Sequence, residues 1–374
     1  MFEKKGKQLL EKAVVSIGGN KKGDVVFYNK SVFRHTVLFG NLGLGDAYIN
    51  KKWDCKDLDV FFYKILSSRA NNIGGFIDTL QSIRDSLINT QVGKRAFHVA
   101  EKHYDLGNEM YSMMLGESMG YSSGIYLSDS DDLTTAQYNK FDALCKKLKL
   151  APGMKVLEIG AGWGTFAKYA AKNYGVEVIG LTVSKEQKEF AEAVCKGLPV
   201  TFLLLDYQKL PKEYDSHFDR VVSIEMIEAV GAKNFKSYFG IIAHVLKNDG
   251  LLGIQAIIGS GEPDSFISTR IFPNGVLPSI QNIANNIKDN LRIKHWESFG
   301  KDYDRTLMSW DSNFKANWHK IKEMTDKEGN KYYDEKFYRM WTYYLLCCAG
   351  SFRAGYIDVC QIIFSKENSL SVLK

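Results

Sequence analysis

Val156-Leu157-Glu158-Ile159-Gly160-Ala161-Gly162-Trp163-Gly164-Thr165-Phe166-Ala167 decides how this 374-residue chain is read. Apolar residues surround one carboxylate, glycine then recurs at every second position, and a helical stretch begins. The pattern predicts a buried strand, a tight turn and a helix N-terminus. Glycine suits such a turn because the backbone must bend sharply with no Cβ between it and a nucleotide-like ligand. The spacing is G-x-G-x-G rather than the G-x-G-x-x-G of dinucleotide folds, and the acidic residue stands two positions before the first glycine.

Outward from this stretch the chain alternates strand and helix. Strands are expected over 176–183, 200–205, 217–224, 251–258 and 358–365, with helices over 185–196 and 233–246. Such alternation implies a parallel, doubly wound sheet. A helix over 132–149 leads into Pro152-Gly153, and another is expected over 302–322. Residues 259–290 read as an insertion containing Ile271-Phe272-Pro273-Asn274-Gly275-Val276-Leu277-Pro278-Ser279. Residues 1–90 read as a separate module, with a short strand over 24–29, glycines turning helical over 40–48, and helices over 57–66 and 76–89. Residues 91–374 then form the catalytic domain.

The turn resembles the first motif of the class I S-adenosylmethionine (SAM) methyltransferases. The resemblance implies an α/β, Rossmann-like, mostly parallel seven-stranded sheet with a small N-terminal module. It places SAM at the C-terminal ends of the first strands. Glu158 would take the amine of the methionine moiety, over Gly160, Gly162 and Gly164. Thr182, Ser184 and Gln187 flank the end of the second strand, where no carboxylate is available for the ribose hydroxyls and Gln187 would substitute. Ser184 equally suits a plain helix cap. Asp206 and Tyr207, ending the third strand, are placed for the adenine, and Tyr121 and Ser122 complete the set.

Composition sets looser bounds. The chain is 45% hydrophobic and 25% charged, ordinary globular values. It has no run of about 18 uncharged apolar residues, so no transmembrane helix is expected, and Met1–Lys7 lacks an apolar leader core. The six cysteines show no paired spacing and no zinc arrangement, which suggests free thiols in a reducing cytoplasm and no metal site. Residues 1–100 hold 16 Lys+Arg against 9 Asp+Glu, and the remainder holds 33 against 34. The basic excess of the first quarter fits an anionic membrane surface, nucleic acid, or a solvated face with no partner.

Further motifs narrow the family. Leu44-Gly45-Asp46-Ala47-Tyr48, His103–Asn108, Tyr121-Ser122-Ser123, Glu158–Phe166, Glu228, Ile271–Ser279, Phe299–Asp304 and Tyr343–Arg353 together resemble the cyclopropane-fatty-acyl-phospholipid and mycolic acid cyclopropane synthases. The resemblance runs from about residue 24 to 366. It implies methylene transfer from SAM to a cis double bond of an unsaturated phospholipid acyl chain, by a cytoplasmic enzyme docked on a bilayer. It implies no nucleic-acid partner and admits a homodimer. A rival reading within the same branch stops at a methyl-branched or methylene product, or methylates nitrogen.

The chemistry suits the residues. An alkene is a poor nucleophile, so the sulfonium must be held against it with water excluded. Methyl transfer leaves a carbocation that aromatic faces can stabilise; Tyr303, Tyr343, Tyr344 and Phe272 are candidates, with core packing as their plain alternative. A positioned base then takes a proton. Relatives of this kind hold a bicarbonate ion as that base, and the resemblance assigns its cradle to Ser123, Glu228, Gln255, the backbone of Ile257, and Tyr303. The best-known bacterial pattern has cysteine in place of Ser123 and histidine in place of Gln255; Gln255 donates N–H but cannot carry a proton. Glu228 would accept the O–H of bicarbonate, with Glu225 three residues earlier as the other carboxylate. Cys348 matches a cysteine labelled catalytic in the family. It is read here as a small residue lining an acyl pocket, because alkene methylation needs no covalent step.

Overall fold

In the computed structural model, residues 2–12, 15–19, 21–68, 107–260, 264–273, 275–287, 290–325, 329 and 331–366 are described. The expected helix over 76–89 and residues 103–106 lie outside them. The chain forms two compact units, one from residues 1–88, 262–274 and 300–358, the other from 89–261, 275–299 and 359–374. The partition is therefore not linear. The helix Glu335–Arg353 packs on Leu58–Ser67 and Ser31–Ile49 of the N-terminal region and on Gly300–Ile321, which joins these helices into one unit. The insertion is likewise divided near residue 274.

The first unit holds a two-stranded antiparallel pair, β1 (Val25–Phe27) and β2 (Trp53–Cys55), and five helices among its described residues. Aromatic side chains dominate its interior. Trp53 is fully buried against Tyr48, Phe61 and Tyr343 at 5.3, 5.3 and 6.5 Å, with its indole N–H donated to Leu44 O. Gly45 is required here, since a Cβ would lie 2.4 Å from the Phe266 ring. The Ser31–Ile49 helix kinks at Gly40, whose φ of +56° interrupts the helical backbone.

The second unit is the doubly wound sheet. Its strands are β3 (Lys155–Ile159), β4 (Glu177–Thr182), β5 (Val200–Leu204), β6 (Phe218–Ile224), β7 (Leu246–Ile258), β8 (Leu291–Ser298) and β9 (Asp358–Lys366), in the order β5-β4-β3-β6-β7-β9-β8. The five from β3 to β7 are parallel and β8 runs antiparallel to β9. Period-2 alternation sends Leu157 and Ile159 to one face and Val156 to the other. One face is covered by Phe235, Tyr238, Phe239 and Ile242, the opposite one by Phe141, Leu144, Phe166 and Ala170. Burial on both faces explains the nearly continuous apolar runs.

Strand β8 escapes the sequence reading. Leu291-Arg292-Ile293-Lys294-His295-Trp296-Glu297-Ser298 is mostly polar because it is the edge strand, with only Leu291 buried. The final strand β9 consequently lies inside the sheet rather than at its edge.

Candidate active site

Strand order reverses between the paired strands β3 and β6, and at such a switch point the connections leave toward opposite faces, so a ligand crevice is expected at their C-terminal ends. The glycine turn leaves β3 at this point. Gly160, Gly162 and Gly164 have φ of +84°, +51° and +79°, values that disfavour any side chain. Their surroundings differ. A Cβ at Gly160 would strike Met226 at 2.7 Å, and one at Gly164 would strike Ala191 and Phe202 at 2.9 Å. Gly162 alone of the three faces open space. Gly160 and Gly164 thus permit close packing, and Gly162 keeps the bare backbone toward the ligand.

Two buried carboxylate oxygens at this crevice have no hydrogen-bond partner, Glu158 Oε2 and Asp206 Oδ2. Asp206 Oδ1 accepts from Gln208 N at 3.0 Å, which orients the carboxylate. Burial holds the Glu158 carboxyl well above its usual range, opposed by a hydrogen bond from the Ala167 backbone and by Lys140. The unpartnered Glu158 oxygen can accept from the amine of SAM, whose positive charge would favour the ionised form that burial disfavours, and Asp206, past β5, can accept from a polar edge of its nucleoside. Thr182, Ser184 and Gln187 are brought together: Thr182 Oγ1 donates to Gln187 Oε1 at 3.0 Å and accepts from Ser184 N at 3.2 Å. Ser184 Oγ accepts from Gln187 N and caps the helix Lys185–Val194. Tyr207 turns inward instead, its ring 5.4 Å from Tyr238 in the core.

The segment carrying Tyr121 and Ser122 is held from below. Gln137 Nε2 donates to Ser122 O at 2.7 Å, and Lys140 Nζ donates to Ser122 Oγ at 2.6 Å and Gln137 Oε1 at 2.5 Å. Both residues come from the helix Leu133–Lys147, and both are fully buried. Gly120 makes room for them, because a Cβ there would lie 2.2 Å from Gln137 Oε1. Burial brings the Lys140 amine down to about 7, opposed by Glu225 and Glu158. The sequence reading missed this lysine. Its signal was present: Ala136, Gln137, Lys140, Phe141 and Leu144 share one helical face, so two polar residues stand in an apolar phase. Trp163 was missed too; its indole N–H is donated to Asn108 Oδ1 at 2.8 Å, tying the turn to the helix Asn108–Leu115.

The expected anion cradle is arranged differently from the expectation. Ser123 N donates to Glu225 Oε1 at 2.9 Å and Gln255 Nε2 donates to the same oxygen at 2.8 Å. Gln255 Nε2 also reaches Ser123 O at 3.2 Å, and its Oε1 accepts from Gln361 at 3.1 Å. Ile257 N donates to Glu228 Oε1 at 2.6 Å, while Glu228 Oε2 is buried without a partner. Ser123 N, Gln255 Nε2 and Ile257 N are therefore already taken by the protein's own carboxylates, and an anion added there would face two of them. Bicarbonate does not fit this arrangement. Burial, and then repulsion from Glu225, push the Glu228 carboxyl up to about 8, which favours its protonated form near neutral pH.

Tyr303 and Cys348 belong to the other unit. Tyr303 is buried and stacked on Phe352 at 4.4 Å. Tyr343 donates its hydroxyl to Asn41 Oδ1 at 2.6 Å and lies 4.6 Å from the Phe266 ring; Phe272 and Tyr344 meet edge to face at 5.9 Å. These four rings all have packing roles there. Burial pushes the Cys348 thiol far above its ordinary range, which suits an inert side chain and not a nucleophile. All six cysteines are free thiols.

The model of the mycolic acid cyclopropane synthetase family matches residues 91–362. The chain belongs to that family. It is 42% identical over 375 residues to the cyclopropane-fatty-acyl-phospholipid synthase of Escherichia coli, covering 98% of this chain and 94% of that enzyme. It is 31% identical to the tuberculostearic acid methyltransferase UfaA1 of Mycobacterium tuberculosis, over 88% of this chain and 79% of that one. Among solved structures, the mycolic acid cyclopropane synthase CmaA1 complexed with SAH and CTAB superposes with a TM-score of 0.65 at 29% identity, over 72% of this chain and 98% of that one. Coclaurine N-methyltransferase, at 21% identity and a TM-score of 0.69, shares the fold. This synthetase-family chain is a SAM-dependent methyltransferase.

Proposed function

We propose that the chain transfers a methylene group from SAM to a cis double bond of an unsaturated phospholipid acyl chain, forming a cyclopropane. The observation that carries the reading is the near full-length 42% identity to the cyclopropane-fatty-acyl-phospholipid synthase of Escherichia coli. It is supported by the cofactor crevice, whose Gly162 backbone lies open beside the orphaned Glu158 carboxylate. SAM supplies the electrophilic methyl group. Glu158 orients its amine, the glycine turn allows close approach, and the buried Gln137–Lys140 pair fixes the Tyr121–Ser123 segment over the site.

The membrane is the expected second partner. The basic excess of residues 1–100 supports docking on anionic lipid, and no described helix is long and apolar enough to cross a bilayer. Vesicle binding is then expected to rise with anionic lipid content and to fall with salt.

The deciding experiment incubates purified protein with SAM and vesicles of cis-unsaturated phospholipid, followed by mass spectrometry. A product heavier by one CH2 and resistant to hydrogenation is expected. A product that still takes up hydrogen would place the chain with methylene-forming or other methyltransferases of the branch.

A further inference from the structure

We propose that Glu225 is the proton acceptor of the ring-closing step, occupying with its own carboxylate the donors that the family resemblance gives to a bicarbonate ion. The inference rests on the methylene-transfer reading above.

Glu225 directly follows β6, beside the strand that carries the glycine turn, with Glu158 and Val222 in register. Its φ is +48°, in the left-handed region that disfavours a side-chain-bearing residue. The strained backbone is held by Glu225 N donating to Gln255 O at 2.8 Å. Such strain persists only where the surroundings enforce it, and it clusters at functional positions. Here it aims the carboxylate at Ser123 N and Gln255 Nε2. The Gln255 amide is itself oriented, because its oxygen accepts from Gln361, whose own oxygen accepts from Lys147 Nζ at 2.7 Å. N–H donors of this kind bind the charged form of a carboxylate more strongly than the neutral form. The buried Lys140 ammonium adds a favourable charge interaction with Glu225.

Exposure separates the members of the cluster. Ser123 and Gln255 are fully buried, whereas Glu225 and Glu228 are both partly exposed. Burial pushes the neighbouring Glu228 carboxyl up to about 8. Of the two, it is Glu225 whose oxygen accepts two N–H donors, the setting that favours a carboxylate base.

The step balances without any other reactant. The alkene π electrons attack the sulfonium methyl, a C–C bond forms, and the C–S bond breaks to leave the neutral thioether. The second alkene carbon becomes a cation. Glu225 takes one proton from the transferred methyl group, and the released C–H electron pair closes the ring. Glu225, now a carboxylic acid, loses the proton to solvent before the next turnover.

The test uses the full-length protein with SAM and cis-unsaturated phospholipid vesicles, in buffer stripped of carbon dioxide. Wild-type turnover is expected to be unchanged by added bicarbonate. Glu225→Gly is the informative variant, because glycine is at ease at this φ and frees both donors without burying a new group. Its turnover is expected to fall about 10²-fold or more, with SAM affinity by calorimetry within about threefold of wild type. Added bicarbonate or formate should then restore part of the rate by occupying the vacated donors. Glu228→Gln, which mimics the neutral acid, should lose less than about tenfold. A bicarbonate requirement in wild type overturns the proposal, as does full turnover by Glu225→Gly without an added anion. A loss that neither anion restores also overturns it, since Glu225 would then act on the 121–123 segment and not on a proton. If wild type yields no phospholipid heavier by one CH2, the methylene-transfer reading fails instead.

Discussion

Both compact units shield charge, but they use it differently. In the aromatic unit the shielded cations are two arginines, Arg339 buried and Arg353 half-buried. Arg353 forks onto Asp304 at 2.8 Å and reaches Asp59 at 2.6 Å, and those hydrogen bonds raise its already high pKa further. Arg339 lies 3.7 Å over the Tyr48 ring and donates to Tyr48 O at 2.7 Å and Trp53 O at 3.2 Å. Such groups stay charged at every physiological pH and act as fixed fasteners. The sheet unit has a fixed arginine too, Arg220, which donates to Leu148 O at 2.6 Å, but it adds Lys140, Glu158 and the Glu228 carboxyl, and desolvation moves Lys140 down to about 7 and Glu228 up to about 8. The same desolvation that merely fastens one unit leaves the other holding protons that can move near neutrality.

The largest effect that could break this contrast lies in the aromatic unit. Trp53→Ala should cost about 3–5 kcal/mol of stability, because a fully buried indole and its hydrogen bond are lost from a packed cluster. Denaturant titration reads it directly; a loss below about 1 kcal/mol would mean that the aromatic core does not hold that unit together. Next comes Gly162→Val in the sheet unit. A branched side chain at φ +51° enters the space kept for the cofactor, so SAM affinity by calorimetry should fall about 10²-fold or more with the fold retained. Unchanged affinity in a folded variant would remove the crevice from the argument.

Lys140→Met tests whether the buried amine is structural as well as electrostatic. Ser122 Oγ and Gln137 Oε1 lose their donor, for a cost of about 1–3 kcal/mol. The pH dependence is more telling. The folded-state value of Lys140 lies below its unfolded one, so the unfolded chain binds more protons between about 7 and 10.5, and this contribution to stability rises across that window. Glu228 acts in the opposite sense. Its folded value lies above the unfolded one, so the folded chain binds more protons between about 4.5 and 8, and stability falls as pH rises through that range. Glu228→Gln should abolish that fall in melts recorded from about pH 5 to about pH 8. Retention of the slope would mean that Glu228 is ionised in the folded protein. The smallest effect belongs to Cys348→Ser, whose turnover should stay within about threefold of wild type because its thiol is far from ionising. Loss of all activity in a folded Cys348→Ser protein would restore a nucleophilic role.

How much of this was legible in advance follows from the range of each interaction. The stretch 156–167 specified a strand, a tight turn and a helix by itself, because alternation, glycine and capping act over a few residues. The same locality made Glu158, Gly160, Gly162, Gly164, Ser184 and Asp206 readable as crevice residues. Strand β8 was not readable, because an edge strand needs little apolar alternation and is recognised only by its pairing with β9. Nor was the membership of Gly300–Ile321 and Glu335–Arg353 in the first unit, which depends on contacts between residues hundreds of positions apart.

The carboxylates show the division most sharply. Sequence alone marked Glu225 and Glu228 as an unusual pair in apolar surroundings, and by resemblance assigned the reaction to Glu228. Tertiary structure gave the two different surroundings. It brought Ser123, from 102 positions earlier, and Gln255, from 30 positions later, onto Glu225, and left Glu228 with one buried oxygen unpartnered. Residue type determines that a carboxyl group can titrate. Which of two adjacent carboxyl groups holds the proton is set by desolvation and by donors arriving from elsewhere in the chain, and those exist only once the chain has folded.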